Sequence, residues 1–166
     1  MSELVRGDAA PDFRLKDSQG SWVSFSDFPN RKLVLYFYPQ ALTPGCTVEA
    51  IDFSQYTPKF RDAGYTIIGV SPDEPETLAT FIAKHNLTIT LLADPDLVTI
   101  KEYGAWGERM LWGKTFTGLL RSTFVLEIDA QGKGTVVDAQ YSIRATGHVE
   151  RLAKSLGIYD PSARDA

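Results

Sequence analysis

Short apolar runs rich in β-branched and aromatic residues alternate along the chain with helix-like segments. The clearest run, KLVLYFY at 32–38, is almost continuously apolar, which is typical of a strand buried on both faces. In GSWVSFSDF at 20–28 the apolar and polar positions alternate, as they do in a half-exposed strand. Further strands are predicted at 65–71, 90–94, 121–129 and 135–140, and the last two form a hairpin around the turn AQGKG.

Helices are predicted between these strands. They cover 44–63, 74–86 behind Pro72, a stretch near 96–103, and His148 to Leu156. The Gly- and Trp-rich stretch that follows residue 103 is expected to be a loop. This alternation indicates an α/β domain built around a central sheet. Neither a linker nor an internal repeat interrupts it, so we expect one domain over residues 1–166, with a loose tail at 159–166.

Composition and charge narrow the class of partner. The hydrophobic content of 43% suits one domain with a sizeable core. A net charge of -4 and the lack of a Lys/Arg-rich run argue against nucleic acids and anionic membranes as partners. The longest apolar runs are too short to span a bilayer, and the N-terminus MSELVRGDAAPDF has no apolar signal-peptide core. We therefore expect a cytoplasmic protein that acts on small or neutral molecules.

Cys46 is the only cysteine of the chain, and it lies in the segment TPGCTVEAID. Thr43 suits the N-cap of a helix and Pro44 suits its first position, which places Cys46 in the first turn. The unpaired amides and the positive end of the helix dipole favour a thiolate there. This position favours a nucleophile, although an inert, buried cysteine is the alternative. One cysteine cannot form an intrachain disulfide, so redox chemistry would need a partner thiol or another copy of the chain.

The sequence gives no sign of a metal or another cofactor. His85 and His148 are 63 positions apart, and no C-x-x-C, H-x-x-x-H or H-E-x-x-H motif occurs. Neither G-x-G-x-x-G nor G-x-x-x-x-G-K-S/T is present, so no nucleotide cofactor is expected. Both histidines lie near predicted helix ends, where we expect a solvated or capping role.

The segment YFYPQALTPGCTVEAIDF at 36–53 resembles the active-site segment of the peroxiredoxins, whose pattern P-x-x-x-T-x-x-C matches Pro39, Thr43 and Cys46. Other segments resemble the bacterioferritin-comigratory-protein subfamily in order and approximate spacing, over about residues 6–157. They are GDAAPDFRL, GVSPDEPETLATF, LLADPD, YGAWGE, GKTFTGLLRSTFVLEID and GHVERLAKSLG. The resemblance implies a thioredoxin-like α/β fold with a central mixed β-sheet flanked by helices and an N-terminal β extension.

The resemblance also implies a role for each of several residues. Cys46 would be the thiolate that attacks the terminal oxygen of a hydroperoxide and becomes a sulfenic acid. The Thr43 hydroxyl would touch both the sulfur and the peroxide, and Pro39 would shield the sulfur from water. Arg121 would pair with the thiolate and stabilise charge on the peroxide oxygens, with Glu49 orienting it.

The chain departs from the subfamily pattern at the second, resolving cysteine. Many members carry it five positions after the first, where this chain has Ile51, and others carry it in the following helix, where TLATFIAKHN has none. An intact helix would separate positions 46 and 51 by about 8.7 Å between Cα atoms, beyond disulfide reach. The chain therefore looks like a one-cysteine variant, as a monomer or weak homodimer, with thioredoxin or glutathione/glutaredoxin as the external thiol reductant. The alternative function is a regulatory module in which oxidation of Cys46 signals to a partner protein.

Four large apolar residues, Trp106, Met110, Trp112 and Phe116, lie in the Gly- and Trp-rich stretch. We expect them to pack in the core, since large apolar side chains are usually buried. The alternative is an apolar entrance that favours bulky hydroperoxides.

Overall fold

A computed structural model describes residues 3–158. The described strands are β1 (Ala9–Ala10), β2 (Arg14–Asp17), β3 (Trp22–Ser24), β4 (Lys32–Phe37), β5 (Tyr65–Ser71), β6 (Thr90–Ala93), β7 (Trp106–Leu111), β8 (Lys114–Leu119), β9 (Ser122–Ile128) and β10 (Gly134–Gln140). The helices are α1 (Pro44–Asp62), α2 (Pro75–His85), α3 (Val98–Glu102) and α4 (His148–Ser155). The tail predicted at 159–166 lies outside the described residues, and the extent of the domain over 1–166 stays a prediction.

Eight strands form one mixed sheet in the order β1-β10-β9-β4-β5-β6-β2-β3. Strands β4, β5 and β6 are parallel, and the remaining neighbours are antiparallel. In β4 the side chains alternate between two buried clusters, Val34 and Tyr36 on one face and Leu35 and Phe37 on the other. The prediction of a central strand buried on both faces is therefore confirmed.

Helices α1, α2 and α4 cover one face of this sheet, and α3 packs on the other. Helix α1 buries Cys46, Glu49, Ala50 and Phe53, whose spacing of three and four places them on one side of the helix. Burying a phenylalanine such as Phe53 contributes about 1.5–3 kcal/mol to stability. Because the same side of α1 carries Cys46, the packing of the helix also fixes the position of the sulfur.

The strand predicted at 20–28 is shorter in the structure. Only Trp22–Ser24 is extended, and Phe25–Asp27 forms a turn of 3-10 helix. The Asp27 carboxylate accepts a hydrogen bond from the Ser24 backbone N–H at 3.0 Å, and Phe25 is buried. This local side-chain bond competes with strand pairing and ends the strand.

The stretch after residue 103 is a hairpin of β7 and β8, so the prediction of a loop there was wrong. Its two-residue turn is Trp112-Gly113, with φ values of 51° and 75°. A two-residue turn with both φ values positive matches the right-handed twist of the paired strands. The core packing predicted for four residues of this stretch was wrong for three of them, because Met110, Trp112 and Phe116 are 74%, 96% and 45% exposed. The fourth, Trp106, is partly buried against the core.

Candidate active site

Cys46 is a buried free thiol in the first turn of α1. Thr43 is the N-cap residue with extended backbone, and Pro44 is the first helical residue, as the sequence predicts. The Thr43 hydroxyl does not cap the helix but donates to the carbonyl of Gln40 at 2.7 Å. Its oxygen lone pairs therefore stay available as acceptors close to the start of the helix.

Arg121, the residue directly before β9, reaches the sulfur. Its Nη2 lies 3.2 Å from Cys46 Sγ, and its Nη1 lies 2.5 Å from Glu49 Oε1. The backbone carbonyl of Arg121 accepts a hydrogen bond from the Ile143 N–H at 2.9 Å, which holds the base of the side chain. Strand β9 pairs directly with β4, and α1 follows β4, so the sheet brings together two segments that are distant along the chain.

The negative charge of its partners favours the buried position of the Arg121 guanidinium. Burial is the largest single cause and lowers the pKa of Arg121, but the charges of Glu49 and Cys46 and the hydrogen bonds to both together raise the pKa above its usual value. Glu49 is fully buried, and a buried carboxylate is tolerated only when it is paired. The guanidinium thus bridges a carboxylate and the sulfur in the planar fork geometry that arginine offers.

Uncharged aromatic side chains share the buried cluster that contains the sulfur. Tyr36 and Tyr38 belong to the same buried cluster as Cys46. Burial raises the pKa of both tyrosine hydroxyls well above the usual value, so they stay neutral at pH 7. In such a weakly polarisable region the attraction between Arg121 and a Cys46 thiolate is stronger than in water.

His148 is a site residue that the sequence analysis missed. It was expected to be solvated or capping, but the structure buries it at 2% exposure as the first residue of α4. Its Nδ1 lies 2.8 Å from Glu49 Oε2, and its Nε2 lies 3.1 Å from Thr123 Oγ1. A signal was available in the pattern of α4, because the buried Val149, Leu152 and Ala153 share a helix face with position 148.

Pro39 lies just beyond β4, at the mouth of the site. It lines a cleft of about 180 Å³ together with Arg109, Leu120 and Arg121. It also lines a wider groove of about 440 Å³ with Trp106 and Phe116 of the hairpin, among others. Of the sequence-predicted residues, Arg121 thus contacts both Cys46 and Glu49. Pro39 lines a cleft with Arg121, and Thr43 lies at the start of the helix that carries Cys46.

Residues 3–158 form neither a metal-ligand cluster nor a membrane-spanning helix. No cluster of three or more His, Cys, Asp or Glu side chains there has an arrangement that could hold a metal ion. In the same residues, none of the helices is both long enough and apolar enough to cross a bilayer.

Comparison with known proteins gives consistent matches along most of the chain. The model of the AhpC/TSA family matches residues 6–137. A Mycobacterium tuberculosis protein named as a peroxiredoxin is 46% identical over 157 residues, which are 95% of this chain and 98% of that protein.

Solved structures of similar proteins share the fold. The bacterioferritin comigratory protein of Xanthomonas campestris, described for its alkyl peroxide reduction activity, has a TM-score of 0.78 and 32% identity over 87% of this chain and 90% of its own. A cysteine-to-serine mutant of PrxQ from Xylella fastidiosa has a TM-score of 0.83 and 30% identity over 95% of this chain and 98% of its own. These likenesses confirm the predicted thioredoxin-like architecture.

Proposed function

The chain belongs to the AhpC/TSA family and is a peroxiredoxin, a thiol peroxidase of the bacterioferritin-comigratory-protein type. From that premise we propose that Cys46 reduces hydrogen peroxide and organic hydroperoxides and that an external thiol regenerates it. The contact of 3.2 Å between Arg121 Nη2 and Cys46 Sγ is the observation that carries this proposal. It places a permanent positive charge against the one sulfur that can act as a nucleophile.

In the proposed first step the thiolate attacks the terminal oxygen of the hydroperoxide. A sulfur–oxygen bond forms, the oxygen–oxygen bond breaks, and the departing oxygen takes a proton and leaves as water or an alcohol. Arg121 stabilises the charge on the peroxide oxygens, because its Nη2 group already lies 3.2 Å from the sulfur. The Thr43 hydroxyl accepts the hydrogen bond of the incoming peroxide, and Pro39 limits the access of water.

In the proposed second step the sulfenic acid condenses with a thiol from outside the chain. The first external thiol forms a mixed disulfide and releases water, and a second one restores the Cys46 thiol. The chain has one cysteine, and Ile51 packs against the buried cluster where many relatives carry the second. Helix α1 runs unbroken from Pro44 to Asp62, and this mechanism needs no internal disulfide that would unwind it.

We expect one equivalent of hydrogen peroxide, without reductant, to add about one oxygen atom to the protein at Cys46. Intact-protein mass spectrometry measures this gain, and a sulfenic-acid reagent should trap the product. Cys46→Ser is the control, which should show neither signal. Peroxide turnover is then compared between a thioredoxin system and a glutathione/glutaredoxin system.

Two other outcomes of this experiment would contradict the external-thiol mechanism. A nearly quantitative disulfide-linked dimer after stoichiometric peroxide would indicate resolution between subunits. Oxidation without turnover in both reductant systems would favour the regulatory module, in which oxidised Cys46 signals to a partner protein.

The groove beside Pro39 supports organic hydroperoxides as substrates. Trp106, Phe116 and Leu119 give it apolar walls, and its neighbouring cleft reaches Arg121. The similar protein of Xanthomonas campestris is described for alkyl peroxide reduction. We propose that the groove holds the organic part of the substrate while the peroxide group reaches Cys46.

Replacing Phe116 with serine should weaken the use of cumene hydroperoxide but not of hydrogen peroxide. Covering the exposed part of a phenylalanine is worth about 1–1.5 kcal/mol, which corresponds to a roughly five- to tenfold loss in kcat/KM for the organic substrate. The kcat/KM for hydrogen peroxide should change by less than about twofold, because it has no apolar group to bury. Trp112→Ser, at the exposed hairpin tip, is the matched control, and an equal loss with both peroxides in Phe116→Ser would remove the groove from substrate binding.

A further inference from the structure

A continuous chain of polar contacts leads from the sheet to the sulfur. Thr123 Oγ1 lies 3.1 Å from His148 Nε2, and His148 Nδ1 lies 2.8 Å from Glu49 Oε2. The other oxygen of Glu49 accepts from Arg121 Nη1 at 2.5 Å, and Arg121 Nη2 lies 3.2 Å from Cys46 Sγ. We propose that His148 is a positioning residue for peroxide attack, which acts on Cys46 through Glu49 and Arg121.

The direction of these hydrogen bonds follows from the chemistry of the partners. Glu49 is ionised beside Arg121 and has no proton to give, so Nδ1 of His148 carries the proton and donates it. In a neutral ring, Nε2 then accepts from the Thr123 hydroxyl, and in a charged ring it donates to the same oxygen. In either case Glu49 Oε2 accepts a hydrogen bond from His148 of α4. Both ring nitrogens of the buried His148 therefore have hydrogen-bond partners.

Each oxygen of Glu49 therefore has its own partner, Arg121 at Oε1 and His148 at Oε2. With Arg121 alone on Oε1, the carboxylate could turn about its last side-chain bond, which is a soft torsion. The bond from His148 to Oε2 fixes that torsion, and with it the plane in which Arg121 meets the carboxylate. Since the guanidinium is planar, a fixed Nη1 also fixes the direction of Nη2 toward Cys46.

Packing contacts from two other elements hold the ring of His148 in place. Its edge packs on Phe53 of α1 with ring centroids 5.5 Å apart. Thr123 is 1% exposed and belongs to β9, the strand that Arg121 directly precedes. His148 thus connects α4 with α1 and β9, the two elements that position Cys46, Glu49 and Arg121. A small displacement of His148 would therefore shift the guanidinium of Arg121. A misplacement of about 1 Å can cost a hundredfold in rate.

Three substitutions of His148 separate its two hydrogen bonds. The amide of His148→Asn takes roughly the place of Nδ1 and can donate to Glu49, while the longer His148→Gln takes roughly the place of Nε2 and faces Thr123. His148→Leu keeps apolar volume and removes both bonds. The matched control is His85→Leu, because His85 ends α2 and packs edge-on against Phe81, away from the contact chain described above.

The readout compares two reactions of Cys46 in each variant. Stopped-flow measures the rate constant for oxidation by hydrogen peroxide, which needs a positioned Arg121, and alkylation by iodoacetamide measures the thiolate alone. We expect His148→Leu to lower the oxidation rate constant about tenfold or more and the alkylation rate constant by less than about threefold. His148→Asn should stay within about threefold of the wild type in oxidation, His148→Gln should resemble His148→Leu, and His85→Leu should match the wild type.

A double-mutant cycle tests the route through Glu49. If His148 acts through this carboxylate, His148→Leu should change the oxidation rate constant by less than about threefold in a Glu49→Gln background. An unchanged tenfold effect in that background would overturn the proposal. Equal losses of the oxidation and alkylation rate constants in His148→Leu would also overturn it, and so would equal oxidation rate constants for His148→Asn and His148→Gln. If His148→Leu fails to fold by circular dichroism, His148→Gln takes its place, because it lacks the donor to Glu49, and a wild-type oxidation rate constant in a folded His148→Gln protein would overturn the proposal.

This inference rests on the proposed function, and the two can fail separately. A wild-type protein without peroxide turnover contradicts the proposed function. A wild-type protein that turns over, with His148 variants that do not differ from it, contradicts the role of His148 alone.

Discussion

Cys46→Ser is expected to lower peroxide consumption to the background of the assay, a loss of at least about a thousandfold. A serine hydroxyl has no appreciable anion at neutral pH, even when a guanidinium stands 3.2 Å from the sulfur position. The helix start and the contact between Arg121 and Glu49 do not depend on the sulfur. The loss should therefore be chemical rather than structural.

The measurement follows hydrogen peroxide directly, with thioredoxin and with glutathione/glutaredoxin as reductants. Gln55→Ser, an exposed position on the same helix, is the matched control and should keep wild-type turnover. Circular dichroism and a thermal melt show whether Cys46→Ser keeps its fold. Retained turnover in a folded Cys46→Ser protein would mean that another group consumes peroxide, and the proposed thiol chemistry would be wrong.

The position of Cys46 could be predicted from the sequence because its causes are local. Thr43 and Pro44 mark the helix start within three residues of the sulfur, and the rules for helix caps involve only neighbours along the chain. Strand β4 was equally predictable, since its unbroken apolar run has few alternatives to a buried central strand.

The contacts around Cys46 have causes that are distant along the chain. Arg121 is 72 residues from Glu49, and the pairing of β4 with β9 brings them together. Spacing cannot show such a contact, so the interpretation of Arg121 depended on the resemblance to a family. His148 is 99 residues from Glu49, and it was missed although the apolar face of α4 includes its position.

The hairpin of β7 and β8 was missed because its turn uses an uncommon residue. Two-residue turns of this kind are usually recognised by Asn-Gly or Asp-Gly, whereas here Trp112 adopts a φ of 51° before Gly113. The general preference of large apolar residues for the core then gave the wrong environment for Phe116, which lines a surface groove. Phe116 is exposed because its hairpin borders the groove beside Pro39, and composition alone does not show where a hairpin lies.

Arg121→Ala is expected to slow the oxidation of Cys46 by peroxide about 100- to 1,000-fold, the usual loss when one donor to developing oxygen charge is removed. Stopped-flow oxidation of Cys46 by hydrogen peroxide measures this rate constant. Arg121→Lys should recover the activity only in part, since lysine brings charge without the planar fork.

The same substitution should destabilise the fold, and this second effect can be separated from the first. Arg121→Ala leaves the fully buried Glu49 with the imidazole of His148 as its remaining partner in the contact chain, and breaking a buried pair costs about 3–5 kcal/mol. Adding Glu49→Gln to Arg121→Ala removes the uncompensated charge and should restore most of the lost free energy of unfolding, measured by urea denaturation. The rate of peroxide oxidation should stay low in this double variant, because no guanidinium faces the peroxide. If the double variant instead recovered the rate together with the stability, Arg121 would serve to neutralise Glu49 and would have no direct role in the reaction.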